Sequence, residues 1–345
     1  MARLILVSNR LPVSVDAAGK VTRTTGGLAS ALHGAKLSSD ALWVGWPGLA
    51  TEEIEDRQAL LTSMRDIGVS PVMLSHAELD GFYEGYSNAT LWPVLHYKVG
   101  QARFNGSHWF PFYQEVNRRF AEAVLAVAED GDTVWVHDYH LFLVPELLRR
   151  SKKTLSIGFF LHTPFPSSET FRVLPERAQI LTGLLGSDLV GFHTFNYLRH
   201  FRSAVLRVLG VESEVDTVWH RGRALRLDVY PVGHDRAGFA KARRSAAFRR
   251  ALEAYGADIG DRALVLSVER LDYTKGVPEK LAAIREFLFR HPERRHTVVF
   301  LIVAVPSRQG VEAYDALTER VQREVGALNG EYGSVSGARQ AENEP

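Results

Sequence analysis

Asp138 and His140, in Val134–Arg149 (VWVHDYHLFLVPELLR), and His162, in Ile157–Pro166 (IGFFLHTPFP), combine side chains able to move protons with positions able to present them. A carboxylate can accept a proton, and an imidazole can accept, donate or hydrogen-bond one near neutral pH. In the first stretch an apolar run breaks at His137, Asp138, Tyr139 and His140, then resumes with helical spacing. That pattern predicts a strand, a polar turn and a helix start. In open α/β sheets ligands bind outside the carboxyl ends of strands, where such turns sit. Asp138, His140 and His162 form only a thin set of metal ligands, with no further His or Glu at ligand spacing. No Gly-x-Ser-x-Gly elbow marks a hydrolytic triad. A general base at Asp138, or hydrogen-bonding histidines, suits the pattern better.

Cations recur at strand ends. Arg270 and Lys275 lie five apart across the turn after an apolar run, and Arg10 and Arg308 hold similar places. Arg offers phosphate oxygens a planar fork and Lys a point charge. Two readings stand: salt-bridged or solvated surface residues, or a local cation cluster for a substrate pair with several phosphates. Gly26-Gly27 opens a segment of helical spacing. It is read equally as a tight turn or as backbone that approaches an anion. Leu79–Tyr97 is dense in aromatics and poor in periodicity, so it is either a core-packing loop or a wall for a sugar.

These residues need elements to hold them. Strands are expected at Arg3–Val7, Ala41–Trp46, Ser70–Leu74 and Asp188–His193, with a hairpin over the turn His220–Arg223. Helices are expected over Glu52–Ile67, Glu115–Asp130 and Phe195–Leu209. After Tyr230-Pro231-Val232-Gly233 the pattern continues: a helix over Arg236–Tyr255, strands Ala263–Val268 and Thr297–Val303, and helices over 277–290 and 311–328. Alternation of this kind predicts an α/β protein whose largely parallel sheet is covered on both faces. The second part has only two clear strands, which leaves an apolar face or sheet edge open.

The chain has 345 residues, a net charge of +1 and no cysteine. That is room for two domains, with no global charge for nucleic acid and no disulfide or thiolate chemistry. No apolar run is long enough to span a bilayer, and a cytoplasmic location is expected.

Longer segments carry a resemblance. LILVSNRLP, TGGLASAL, LWVGWPG, FYEGYSNATLWPVLHY, VWVHDYHLFLVPELLR, IGFFLHTPFPSSETFRVLP, LLGSDLVGFHTFNYLRHF, LSVERLDYTKGVPEKLAA and LNGEYG, in this order, closely resemble the trehalose-6-phosphate synthases, retaining glycosyltransferases of family 20. The resemblance implies a GT-B-type fold of two Rossmann-like domains facing a cleft. They would be residues 1–232 on the acceptor side and a partial 233–333 on the donor side, followed by a disordered tail over 334–345. It implies transfer of glucose from a nucleotide-glucose, usually UDP-glucose, to glucose 6-phosphate, with no metal or other cofactor. Asp138, His162, Arg270 and Lys275 would be catalytic. Arg10, Tyr83, Trp92, Tyr139, His140 and Arg308 would bind the acceptor. Gly26, Gly27, His162, Arg270 and Lys275 would bind the donor. His234 replaces an apolar residue at the hinge. GSVSGARQAENEP does not resemble the family's continuation, which holds the donor sugar and ribose, so an incomplete donor site is expected. A sugar-phosphate-binding or regulatory remnant, or a glucosylglycerol-phosphate synthase, are the alternatives, and a homo-oligomer is left open.

Overall fold

The computed structural model describes residues 2–15, 21–23, 41–306 and 312–333. Gly26, Gly27, Arg308, the helical spacing over 28–37 and the tail 334–345 lie outside the described residues. The chain divides into two compact units, Met1–His234 and Asp235–Pro345.

The first unit is built on a nine-stranded sheet. In chain order its strands are β1 (Leu4–Arg10), β4 (Leu42–Trp46), β5 (Val69–Pro71), β6 (Thr133–His137), β7 (Ser156–Phe160), β8 (Leu189–Phe192), β9 (Ser213–Glu214), β10 (Thr217–His220) and β11 (Arg223–Val229). A small separate ribbon pairs β2 (Val13–Val15) with β3 (Val21–Arg23). The sheet order is β5-β4-β1-β6-β7-β8-β11-β10-β9. Pairing is parallel from β5 to β11 and antiparallel at the β11-β10-β9 edge. Residues Ile5 to Asn9 of β1 are all buried, as expected of a strand with both faces covered. After β1 the chain steps to β4 and β5 on one side, then crosses to build β6, β7, β8 and β11 on the other. The order therefore reverses between β1 and β6, and this is the topological switch point.

Several elements differ from the periodicity-based expectation. Over Glu52–Ile67 the helix proper is Arg57–Asp66, started by Asp56, whose side chain accepts from the Ala59 amide. Asp56 separates it from a single 3-10 turn, Thr51–Glu53. The helix read from Glu115 begins at Gly106 and runs to Val127 through Pro111. Leu79–Leu91 is a π-helix rather than a loop. A Cβ added at Gly81 would lie 2.3 Å from the Phe112 ring, and at Gly85 2.7 Å from the Trp109 ring. Those two glycines let the long helix Gly106–Val127 seat its aromatic rings against bare backbone. The hairpin turn consists of Arg221 (φ 51°) and Gly222 (φ 75°), the positive-φ pair that matches strand twist.

In the second unit β12 (Ala263–Leu271) pairs in parallel with β13 (Val298–Pro306) over nine residues. Helices Val277–Arg290 and Glu312–Tyr332 cover one face, burying Val277, Leu281, Leu317, Val321 and Leu328. The open apolar face that two strands imply is present: Leu266 is 57% and Val268 66% exposed. Where one helix was expected over Arg236–Tyr255 there are two, Arg236–Arg243 and Ala246–Ile259. Ser245 starts the second by accepting from the Phe248 amide at 3.1 Å. Among the described residues no helix is long and apolar enough to cross a membrane.

Candidate active site

Four neighbouring strands deliver polar side chains to one end of the first sheet. β1 ends in Arg10, and Asp138 follows the end of β6. His162 lies two residues past β7, and His193 follows β8. Parallel strands β1, β6, β7 and β8 are adjacent, so these residues share the carboxyl edge of the sheet on both sides of the switch point. The Arg10 guanidinium sits 4.5 Å over the Trp46 ring, a cation–π contact. Gly48 makes room for it, because a Cβ there would come within 2.7 Å of Arg10 Nη1. Trp46 meets Tyr83 at 5.8 Å. Tyr83 stacks on His140 at 5.8 Å with 14° between planes. Arg10, Trp46, Tyr83 and His140 thus form one continuous row. Sequence reasoning missed Trp46. Its signal was the position: it ends β4, beside β1, immediately before the Pro47-Gly48 turn.

Two expected acceptor residues are placed differently. Tyr139 is 1% exposed and Trp92 6%, so neither ring belongs to an open wall. The 3-10 turn Tyr139–Leu141 buries Tyr139 and Leu141 and leaves His140 half-buried between them. The Tyr139 hydroxyl donates to Asn88 Oδ1 at 3.0 Å, and the Trp92 ring packs 5.6 Å from it. Both support the turn from beneath.

Asn117 and Tyr113, also missed, tie that turn down. Asn117 Nδ2 donates to the carbonyls of Tyr113 and His140 at 2.8 and 3.0 Å. Its Oδ1 accepts from the Leu143 amide at 3.1 Å. The Tyr113 hydroxyl donates to the Tyr139 carbonyl at 2.7 Å and accepts from the Phe142 amide at 3.1 Å. A buried Asn inside the apolar stripe of a helix was the available signal.

Asp138 has φ 71° and ψ 168°, a region essentially reserved for glycine. Its amide donates to the Phe160 carbonyl at 2.9 Å, and its Oδ1 accepts from the His162 amide at 3.3 Å. The strained backbone thus holds the carboxylate against the next strand end. Asp138→Gly is expected to be more stable than Asp138→Ala by about 1–3 kcal/mol, the usual cost of such a backbone. Urea unfolding of the two variants measures the difference, and equal midpoints would remove the strain from the account.

Behind Asp138, His137 Nδ1 lies 3.1 Å from His162 Nε2. Burial pushes His162 down to about 4, with a smaller push from His193. Burial and then His162 push His137 down to about 3. Both rings are therefore neutral at pH 7, and His162 is equipped to hydrogen-bond rather than to carry charge.

In the second unit Arg270 is the penultimate residue of β12 and Lys275 closes the 3-10 turn Tyr273–Lys275, both side chains exposed. Asp272, fully buried, organises the turn between them. Its Oδ1 accepts from the Thr274 amide at 2.9 Å and hydroxyl at 2.8 Å, and its Oδ2 from the Tyr314 hydroxyl at 3.0 Å. The acid set between the two cations in RLDYTKG was the sequence signal for this role.

A doubly wound sheet with a carboxylate, neutral imidazoles and an aromatic-backed guanidinium at its switch point makes this an open α/β unit, a class whose ligands meet the carboxyl ends of the strands. Comparison with known proteins narrows the class. The sequence pattern of glycosyltransferase family 20 matches residues 2–339, and the chain belongs to that family. The chain is similar to alpha,alpha-trehalose-phosphate synthase [UDP-forming] 1 of Aspergillus fumigatus, at 43% identity over 97% of this chain and 66% of the relative. It is also similar to the crystal structure of an alpha,alpha-trehalose-phosphate synthase (UDP-forming) from Burkholderia xenovorans in complex with glucose-6-phosphate. There the TM-score is 0.84 at 30% identity, covering 97% of this chain and 72% of that one. An E. coli trehalose-6-phosphate protein bound with UDP-2-fluoro glucose gives 0.84 at 31% identity, over 97% and 72%. The chain thus spans about two thirds of the length of the curated Aspergillus relative. The α/β fold class expected from the sequence is the one these structures share.

Proposed function

We propose that this chain carries the machinery for transferring glucose from UDP-glucose to glucose 6-phosphate, forming α,α-trehalose 6-phosphate with retention at the donor anomeric carbon. The row Arg10–Trp46–Tyr83–His140 beside Asp138 carries the reading, because it joins a phosphate-binding cation to a sugar-sized aromatic surface at the switch point. In this reading Arg10, with Arg308, takes the acceptor phosphate, and Tyr83 and His140 flank its sugar. Asp138 and His162 face the reacting sugars. Arg270 and Lys275 hold the donor diphosphate, with Gly26 and Gly27 approaching it by their backbone. The anomeric carbon–oxygen bond to the diphosphate breaks on the face where the acceptor hydroxyl attacks. That hydroxyl's proton passes to the departing phosphate oxygen. Arg270 and Lys275 stabilise the charge developing on the diphosphate, and burial of both substrates excludes water. Asp138 faces the developing positive charge of the sugar ring.

The test is UDP release from UDP-glucose and glucose 6-phosphate, with calorimetric titration of each ligand. Arg10→Ala is expected to weaken glucose 6-phosphate, and Lys275→Ala to weaken UDP, each by roughly tenfold or more for loss of a charged hydrogen bond. Unchanged affinities would sink the assignments. The open face of β12 and β13, with Leu266 and Val268 exposed, favours a second reading as a sugar-phosphate-binding subunit that pairs with another protein. Binding of glucose 6-phosphate without turnover would select it.

A further inference from the structure

We infer that His137 is a positioning residue that fixes the tautomer of His162, its Nδ1–H donating to His162 Nε2 so that His162 carries its own proton on Nδ1. The inference deepens the function proposed above and rests on it only for the identity of the ligand.

The geometry allows one proton between the rings. His137 Nδ1 and His162 Nε2 are 3.1 Å apart, so one nitrogen must donate and the other accept. Which donates is decided at the far side of His137. That residue is fully buried, and among the described residues its Nε2 has no hydrogen-bond partner. A proton on Nε2 would leave an orphaned buried N–H, the rarer and costlier defect. The ring of Trp135, 4.6 Å away and tilted 44°, offers at most a second-order contact. With the proton on Nδ1, only a lone pair is left unpaired. His137 is then a donor to His162, and His162 Nε2 is an acceptor.

The remainder of His162 is held from two other directions. Its amide donates to Asp138 Oδ1 at 3.3 Å. The His193 ring packs against it edge-on, its centre 5.8 Å from that of His162. Among the described residues nothing else bonds the His162 ring, and no group of three or more potential ligands is arranged for a metal ion. The cluster therefore makes a neutral, oriented N–H at Nδ1, suited to a sugar hydroxyl oxygen that can accept. A ring free to exchange tautomers would offer a donor for only part of the time.

Two measurements test this on the full chain. In a long-range 1H–15N histidine spectrum at pH 7, both His137 and His162 are expected to show Nδ1–H with bare Nε2. A proton on Nε2 of His162 overturns the inference. His137→Asn retains an N–H near the position of Nδ1, whereas His137→Leu removes it. The Leu variant is expected to give mixed tautomers at His162 and to bind UDP-glucose about tenfold more weakly, the equivalent of about 1.4 kcal/mol. UDP alone should bind as before, and the Asn variant should restore most of the sugar-dependent affinity. A His162 tautomer unchanged in the Leu variant overturns the inference, as does loss of UDP affinity equal to that of UDP-glucose. If the Leu variant does not fold, the parent spectrum and the Asn variant still decide. A parent chain that binds no UDP-glucose refutes the proposed function, while the tautomer spectrum judges His137 separately.

Discussion

Lowering the pH from 7 to 4.5 is expected to cost the nine-stranded unit about 2–3 kcal/mol of stability through His137 alone, with His162 pulling in the same direction. Burial holds His137 at about 3 and His162 at about 4 in the folded protein, against an ordinary 6.5. Between those values the unfolded chain binds protons that the folded chain refuses. Stability is therefore fully present above about 6.5, where neither state is protonated. It falls by about 1.4 kcal/mol per pH unit for a fully buried group as the pH drops toward the folded value. His193, His200 and His220 are also shifted down, each first by burial, and steepen the trend. Carboxylates held below their usual range, such as Asp132 and Glu115, lose their stabilisation only nearer pH 4. Histidines therefore dominate between pH 6.5 and 4.5. All six tryptophans, at 43, 46, 92, 109, 135 and 219, lie in Met1–His234, so tryptophan fluorescence during urea unfolding reports this unit alone. The midpoint is expected to fall steadily over that range, and His137→Leu to flatten the slope whatever its own stability. A midpoint independent of pH from 7 to 4.5 would contradict the burial of these rings.

The strand–turn–helix around Asp138 was legible because each part announces itself locally. An apolar run gives β6, and Asp138-Tyr139-His140 do not continue it past His137. Phe195–Leu209 is observed over the expected residues, because Thr194 caps its start and Gly210 ends it with φ 67°. Val277–Arg290 has its start marked by Gly276 and Pro278. What escaped depends on partners distant in the chain. The π-helix Leu79–Leu91 needs the rings of Trp109 and Phe112 to fill the gaps left by Gly81 and Gly85. Trp46 gains meaning only when β4 is set beside β1. Tyr139 reads as a ligand-facing aromatic until the 3-10 turn directs it inward. The positive φ of Asp138 has no sequence signature at all, since the residue that occupies it is not glycine. The same holds for the pairing of His137 with His162, which requires β6 and β7 to be in register, His137 opposite Phe160.

Asn117→Ala is expected to destabilise the first unit by about 3–4 kcal/mol, more than any surface change at the candidate site. The side chain is fully buried, and its removal takes the Asn117 hydrogen bond away from the Leu143 amide and from the carbonyls of His140 and Tyr113. Each unsatisfied buried group costs about 1–3 kcal/mol, and the lost volume adds a smaller cavity cost. Asn117→Leu restores the volume but not the hydrogen bonds, so it should recover only the cavity part. Tyr113→Phe, which strips the hydroxyl from the Tyr139 carbonyl and the Phe142 amide, is expected to cost about 2 kcal/mol. The two residues secure the same turn, so the double variant should lose less than the sum of the single losses. Because that turn carries Asp138 and His140, each variant is also expected to weaken glucose 6-phosphate binding at temperatures where the unit remains folded. Arg10, anchored on Trp46 of β4, stays in place in both. A fall in stability below 1 kcal/mol for Asn117→Ala, read by tryptophan fluorescence in urea, would mean that water replaces the lost amide and that the turn is held by its apolar contacts alone.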